Sequence, residues 1–316
     1  MTTVAITGVS GFIGSRLLQR LEQTDEVERV VGVDLRPPAT PTPKLRFYQH
    51  NVTAPMASVF ATEKVDAAVH LAFVVRPRQD RARAEETNIQ GTRNFLDACT
   101  QSSVRHITYL SSHTVYGAHP DNPVPLTEDA PLRPHRGFQY SWDKAQSEAL
   151  FREFAHTHPH VPVAILRTCV VLGATADSPV ARSLFQPVMV RVAGHNPALQ
   201  FIHLDDLVEL VAALLARRHG GVLNVAGASS ITYRDLATLA RRKSLPLPGW
   251  LLRSVMGATW ALRLQSQSPP DGLRFIMHPI VLSTDKMTKQ TGFCPKYSSQ
   301  QAVMAYLAAT RQARSP

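Results

Sequence analysis

The run Val4-Ala5-Ile6-Thr7-Gly8-Val9-Ser10-Gly11-Phe12-Ile13-Gly14 carries an apolar strand into three glycines spaced three apart, and Leu17, Leu18 and Leu21 continue at helical spacing. A strand that passes through such a loop straight into a helix leaves few folds open. Without Cβ atoms the loop backbone can approach an anion closely, where helix N-terminal amides and the helix dipole stabilise its charge. Residues 27–34, VERVVGVD, then read as a second buried strand ending in an acid. Strand, helix and strand make a βαβ unit whose glycine loop suits a pyrophosphate. Asp34, 20 residues beyond Gly14, stands where a carboxylate accepts hydrogen bonds from both hydroxyls of an adenosine ribose. That arrangement favours NAD over NADP, because a 2'-phosphate would be repelled. Two other readings stay open: Asp34 as a strand-end turn residue, and Arg36 swung toward a 2'-phosphate.

The alternation continues along the chain. Residues 65–71 (VDAAVHL), 104–111 (VRHITYLS) and 161–167 (VPVAILR) read as buried strands, with helices over 85–100 and 141–156. Strands alternating with helices at this interval imply an α/β fold, a doubly wound parallel sheet with right-handed crossovers and a ligand crevice at the strands' carboxyl ends. Beyond Thr168 the pattern breaks at Pro179, Pro187 and Pro197, then a helix over 206–218 and a strand over 221–225 return. The expected organisation is a Rossmann-type NAD-binding domain over 1–167, completed by about 201–226, with a smaller mixed substrate domain over 168–200 and 227–316. Within the latter, residues 246–264 (PLPGWLLRSVMGATWALRL) read as a core helix, an interfacial membrane helix being the alternative.

Composition narrows the partners. A length of 316 residues allows roughly two domains' worth of core, and 44% hydrophobic residues is ordinary for a soluble globule. The net charge of +10 comes from scattered arginines without a basic helix interleaved with aromatics, so an anionic cofactor or substrate explains it better than nucleic acid. The clusters Arg217-Arg218 and Arg241-Arg242-Lys243 read as solvated faces. Cys99, Cys169 and Cys294 lack metal or redox spacing and suit free thiols in a reducing cytoplasm. No basic and apolar leader precedes the first strand, and no apolar run reaches the ~18 residues of a membrane span. A cytoplasmic protein without stable membrane insertion is expected, and the histidine spacing gathers no metal site.

Chemistry enters with Tyr140-Ser141-Trp142-Asp143-Lys144. Residues four apart share a helix face, so phenol and ammonium can enter one pocket. A nearby positive charge favours phenolate and is expected to pull Tyr140 down from its ordinary pKa of about 10, making it an acid or base. The strand before it ends at Ser111-Ser112-His113-Thr114-Val115-Tyr116-Gly117, which puts the Ser112 hydroxyl at the carboxyl end. His113 reads either as an extra acid or as a packing or capping residue. His203 reads as a structural junction where Asp205 or Asp206 caps the next helix.

Taken together, TGVSGFIG, Asp34, His70-Leu71-Ala72, Asn88, SSHTVYG, YSWDK and QFIHLDD resemble the extended short-chain dehydrogenase/reductases, the NAD-dependent epimerase/dehydratase family, over nearly the whole chain. The resemblance implies that Tyr140 is the general acid/base, that Lys144 lowers its pKa and bonds the nicotinamide ribose, and that Ser112 orients the substrate oxygen. It implies Gly8, Gly11, Phe12, Ile13 and Gly14 around the pyrophosphate, Asp34 at the adenosine ribose with Leu35 and Arg36 beside it, and Asn51 and Val52 at the adenine. Leu71, Ala72, Asn88 and Thr168 would line the rest of the cofactor, and a homodimer would pair through the helices around 88–100 and 141–156. The departures are informative. Family 4,6-dehydratases carry Asp-Glu where this chain has His113 and Thr114, so dehydratase chemistry is not expected. Many sugar-nucleotide epimerases carry an asparagine and an arginine where this chain has Val170 and Leu199. Losing that arginine removes a charge-assisted phosphate contact worth about 1.5 to 3 kcal/mol. Residues 246–264 resemble the helical hairpin of 3β-hydroxysteroid-dehydrogenase-like members. The expected function is an NAD-dependent oxidoreductase or epimerase of nucleotide-sugar type acting on a secondary alcohol of a small molecule. A lipophilic-alcohol oxidoreductase and a non-catalytic NAD-binding regulator are the alternatives.

Overall fold

The computed structural model describes residues 2–75, 81–173, 181, 184–265 and 268–312; Pro179 lies outside them. Seven strands, all but the edge strand β3 buried through most of their length, form the central sheet: β1 (Thr2–Thr7), β2 (Val27–Asp34), β3 (Leu45–Gln49), β4 (Ala67–His70), β5 (His106–Ser112), β6 (Val163–Thr168) and, later in the chain, β11 (Gly221–Val225). Their order is β11-β6-β5-β4-β1-β2-β3, and every pairing is parallel. Such strands must be covered on both faces, which is why they read as continuous apolar runs.

Side-chain alternation along β1 shows both faces at work. Val4 and Ile6 pack with Leu17, Leu18 and Leu21 of α1 (Phe12–Glu22) and Leu207, Leu210 and Leu214 of α6 (Leu204–Arg217), while Ala5 joins the opposite layer with Phe60, Phe95, Phe151 and Phe154. These phenylalanines come from α2 (Ala57–Thr62), α4 (Gly91–Thr100) and α5 (Gln139–Thr157). The helix expected over 85–100 begins earlier, with α3 (Arg81–Glu85), and passes through a π turn, Glu86–Gln90, before α4. Strand order reverses between β1 and β4, and a crevice opens there above the carboxyl ends.

The rest of the chain builds around that crevice. Short pairs join β7 (Val170–Leu172) to β10 (Phe201–His203), β9 (Ala198–Leu199) to β12 (Ile231–Thr232), and β8 (Val188–Val192) to β13 (Lys243–Leu247). A third core gathers Leu172, Met189, Phe201, Tyr233, Leu236, Val303 and Tyr306, drawing on α7 (Tyr233–Leu239) and α10 (Ser299–Gln312). Two expectations are corrected here. The apolar segment 246–264 contributes α8 (Gly249–Ala261), which is no core helix: none of its residues is buried. It packs on the 3-10 turn Pro270–Ile276, with Leu252, Met256 and Trp260 half-buried, and its other side faces out. At the start of α6, His203 itself is the cap, its Nδ1 accepting from the Asp205 amide at 3.2 Å. Asp206 is instead buried and accepts from the amides of Lys296 and Tyr297 at 2.9 and 3.0 Å, tying α6 to the loop before α10. Among the described residues no helix is long and apolar enough to cross a membrane.

Candidate active site

The glycine loop is shaped by backbone packing. Gly8 has φ +76°, and a Cβ there would lie 2.7 Å from the Ala72 amide nitrogen, while a Cβ on Gly14 would lie 2.2 Å from the Gly8 carbonyl oxygen. Only glycine allows so close an approach of β1, α1 and the residues after β4. Gly11 occupies the N-cap position of α1 and no side chain caps the helix. The first-turn amides are thus available to an external acceptor. Asp34, at the end of β2, accepts from the Ser10 amide at 3.0 Å and the Leu35 amide at 2.7 Å, and the Ser10 hydroxyl donates to the Arg36 carbonyl at 2.5 Å. Its carboxylate is therefore fixed beside the loop.

One cavity of about 860 Å³ runs from this loop across the carboxyl ends of β4, β5 and β6. Of the residues singled out from sequence, Gly8, Gly11, Phe12, Ile13, Gly14, Leu71, Ser112, Tyr140 and Thr168 line it. Asp34, Leu35, Arg36, Asn51, Val52 and Ala72 are not on its wall. Asn51 and Val52 follow β3, Asn51 accepting from the Thr53 amide at 3.1 Å and Val52 buried against Gly91. Asn88 also lies behind the wall, in the π turn. It is buried, accepts from the Val74 amide at 2.7 Å and donates to Asp143 Oδ2 at 2.9 Å. Asn88 thus grips the segment after β4 that the cavity uses.

Ser112 and Tyr140 meet across the cavity wall. The Ser112 hydroxyl accepts from the Thr114 amide at 3.2 Å and from the Thr114 hydroxyl at 2.9 Å, and Tyr140 lines the same cavity close enough for that hydroxyl to act on its phenol. Lys144, one turn along α5, is buried and donates to the Leu110 carbonyl at 2.6 Å, with the Phe73 ring 3.7 Å from Nζ. Burial pulls the Lys144 ammonium down to about 7, against the upward pull of Asp143 and Glu148. The expected lowering of Tyr140 is corrected: burial raises its phenol above the ordinary range, with the neighbouring Ser112 hydroxyl pulling the other way. Nζ lies 6.0 Å from the Tyr140 ring and bonds elsewhere, so in the protein alone desolvation outweighs its charge.

His113 is no acid. Its Nδ1 donates to the Thr168 carbonyl at 3.1 Å, and burial lowers it to about 4, so the ring is neutral near pH 7 and leaves Nε2 as an acceptor. Several groups escaped notice in the sequence. Arg167 and Glu148, both fully buried, pair at 2.7 Å beneath the β5 end, Glu148 accepting from the Ser111 hydroxyl at 2.8 Å and Arg167 donating to the Tyr116 phenol at 2.6 Å. The available signal was an arginine inside the apolar strand VAILRT. Phe73, Arg81 and Gln139 also line the cavity, Arg81 donating to Gln139, which donates to Asp143. The rest of the wall is largely apolar, with Val170, Val171, Leu199, Trp260, Phe275 and Ile280, and carries the polar side chains of Gln200, Arg263, Gln265, Ser268 and His278. Among the described residues no carboxylate lines this cavity.

A parallel sheet with a glycine-lined crevice, Ser112 and Tyr140 on its wall and Lys144 buried behind it has the form of a nucleotide-dependent enzyme of the short-chain dehydrogenase/reductase type. The chain belongs to the NAD-dependent epimerase/dehydratase family, whose profile matches residues 4–226. An uncharacterized protein of Mycobacterium tuberculosis strain H37Rv is 26% identical over 314 residues, covering 96% of this chain and 82% of that protein. A dTDP-glucose 4,6-dehydratase of Streptomyces griseus is 29% identical over 265 residues, covering 76% of this chain and 78% of the enzyme. Among solved structures, MoeE5 in complex with UDP-glucuronic acid and NAD has the same fold, with a TM-score of 0.77 at 21% identity over 98% of this chain and 99% of that one.

Proposed function

We propose that the protein transfers hydride between NAD and a secondary alcohol carbon, with Tyr140 moving the hydroxyl proton. The observation that carries this reading is that Ser112 and Tyr140 line the cavity that also contains the glycine loop, with Lys144 buried one turn from Tyr140. The loop, the uncapped α1 N-terminus and the fixed Asp34 carboxylate fit a dinucleotide pyrophosphate and its adenosine ribose, with Asn51 and Val52 at the adenine end. NAD, when bound, supplies the hydride acceptor. Ser112, fixed by its two bonds from Thr114, donates to the substrate oxygen and orients it. Tyr140 takes the alcohol proton as general base and returns it as general acid, and Lys144 supplies the charge that favours phenolate over the opposing effect of burial. Asp143 and Glu148 help keep that lysine protonated. The apolar wall excludes water from the proton-transfer pair.

The same wall favours a lipophilic alcohol. Val170 and Leu199 both line it, beside Trp260 and Phe275, at the places where sugar-nucleotide enzymes present diphosphate ligands. A nucleotide sugar is the alternative, with Arg81 and Arg263 as the guanidinium groups of the described wall.

The test is turnover of hydrophobic secondary alcohols and of UDP-sugars with NAD, read as NADH absorbance and product stereochemistry. Tyr140→Phe is expected to lower kcat by roughly 10²- to 10⁴-fold while the NAD-induced thermal shift persists. Undiminished turnover in that variant would refute the mechanism. Binding of NAD by the unmodified protein without turnover of either class would favour the regulator reading instead.

A further inference from the structure

We infer that the outward face of α8 and of β13, the strand that leads into it, docks on an anionic phospholipid bilayer. The helix is apolar on all sides, with Arg253 its one charged residue, yet none of its side chains is buried. An all-round apolar helix normally sits in a core or in lipid. Trp250 is 72% exposed and Val255 51%, and directly after the helix Leu262 and Leu264 are 69% and 73% exposed. At 100° per residue, Trp250, Ser254, Ala258, Ala261 and Leu262 fall on one side of the helix, with Val255 at its edge. The strand before it adds Leu245, and β8 adds Val188 opposite Lys243.

Charge selects the occupant. From 236 to 270 the sequence holds five cations, Arg241, Arg242, Lys243, Arg253 and Arg263, and no carboxylate. Asp235 and Asp271 flank the segment, and Asp271 pairs with Arg253 at 3.4 Å. A second copy of this chain meeting itself across a twofold axis would bring these cations against one another, which is unfavourable. An anionic bilayer suits both features, accepting the apolar side chains at its interface and the cations at its phosphates. Thirteen residues make a helix of about 20 Å, too short to span the hydrocarbon core, so the helix lies in the interface plane. The end of this segment, Trp260, Ala261, Arg263 and Gln265, lines the cavity. Docking therefore brings the cavity beside the bilayer. Binding itself is independent of the reaction proposed above; only its use in supplying a lipophilic substrate rests on that reading.

The experiment is co-sedimentation of the full chain with vesicles of phosphatidylglycerol and phosphatidylcholine, against vesicles of phosphatidylcholine alone, with tryptophan emission followed in parallel. Binding to the anionic vesicles at low salt, a blue shift that disappears in Trp250→Ser, and weakening as salt rises are expected. Trp250→Ser with Leu262→Ser should weaken partitioning on the order of 100-fold. Arg241→Gln and Lys243→Gln should each weaken it about fivefold. All four positions are exposed, and an unchanged thermal midpoint checks that each variant folds. No binding to anionic vesicles, or binding untouched by the Trp250 and Leu262 substitutions, overturns the inference. So does light scattering that shows a dimer which the same two substitutions dissociate.

Discussion

Replacing Arg167 by methionine removes one partner of a fully buried ion pair while nearly filling its volume. Arg167 donates to Glu148 through Nη2 at 2.7 Å and through Nε at 3.2 and 3.3 Å. After the substitution Glu148 keeps the Ser111 hydroxyl at 2.8 Å and Arg152, itself 47% exposed, at 2.9 Å. A buried carboxylate stripped of its main partner costs about 3 to 5 kcal/mol, which for a chain of this size lowers Tm by roughly 5 to 8 °C. The loss carries a pH signature. Burial acts to raise the Glu148 pKa, but the Arg167 hydrogen bonds and charge, with Ser111 and Arg152, bring it below the ordinary range. In the native chain this carboxylate contributes stability above its unfolded pKa and loses it as pH falls through the lowered folded value. In Arg167→Met burial dominates and the folded pKa rises above the unfolded one. The resulting penalty is full above the raised value and fades as pH falls toward about 4.3. Urea denaturation at pH 7 and pH 5, followed by circular dichroism, should show a deficit that shrinks at pH 5. Arg167→Met combined with Glu148→Leu should recover most of it, because the stranded charge is gone. A deficit below about 1 kcal/mol at pH 7, or the same deficit at both pH values, would refute the reasoning.

Gly14→Ala places a Cβ 2.2 Å from the Gly8 carbonyl oxygen, so the loop must open; NAD should then give no thermal shift, and a normal shift would count against the cradle. Asp34→Ala removes a charged acceptor whose hydrogen bonds are worth about 1.5 to 3 kcal/mol; titration calorimetry should show NAD binding weakened about tenfold or more, and NADP gaining relative to NAD. Lys144, pulled down to about 7 by burial, binds fewer protons folded than unfolded between that value and its unfolded pKa. Cofactor-free stability should therefore rise with pH from about 7 upward, and Lys144→Met should flatten that rise between pH 7 and pH 9 in urea melts. An unchanged slope would mean that Lys144 is not desolvated.

The crevice and its anion cradle were legible because they are local. A strand, three glycines and a helix lie within 22 residues, and apolar periodicity placed every strand of the main sheet that it was used to read within about two residues of its position. The four-residue interval from Tyr140 to Lys144 likewise needs only helical geometry. Other features depend on what packs over a group. Spacing suggests that Lys144 lowers the Tyr140 pKa, but only the enclosing cavity decides that desolvation opposes it and that Nζ turns to Leu110. Asn88 enters the sequence reading only through the family resemblance, and its bonds to Val74 and Asp143 become visible once the π turn is formed. Arg167 and Glu148, 19 residues apart, carry no pairing signal until β6 and α5 pack together. The apolar run 246–264 suggests a core helix, and among the described residues no element buries any side chain of the helix it forms. Sequence by itself determined the parallel α/β sheet and the glycine cradle, since these follow from periodicity and short-range spacing, and its motifs carried the resemblance to the family. Tertiary structure alone decided which side chains lost water, which charges met and which apolar face was left uncovered, because desolvation depends on neighbours distant in the chain.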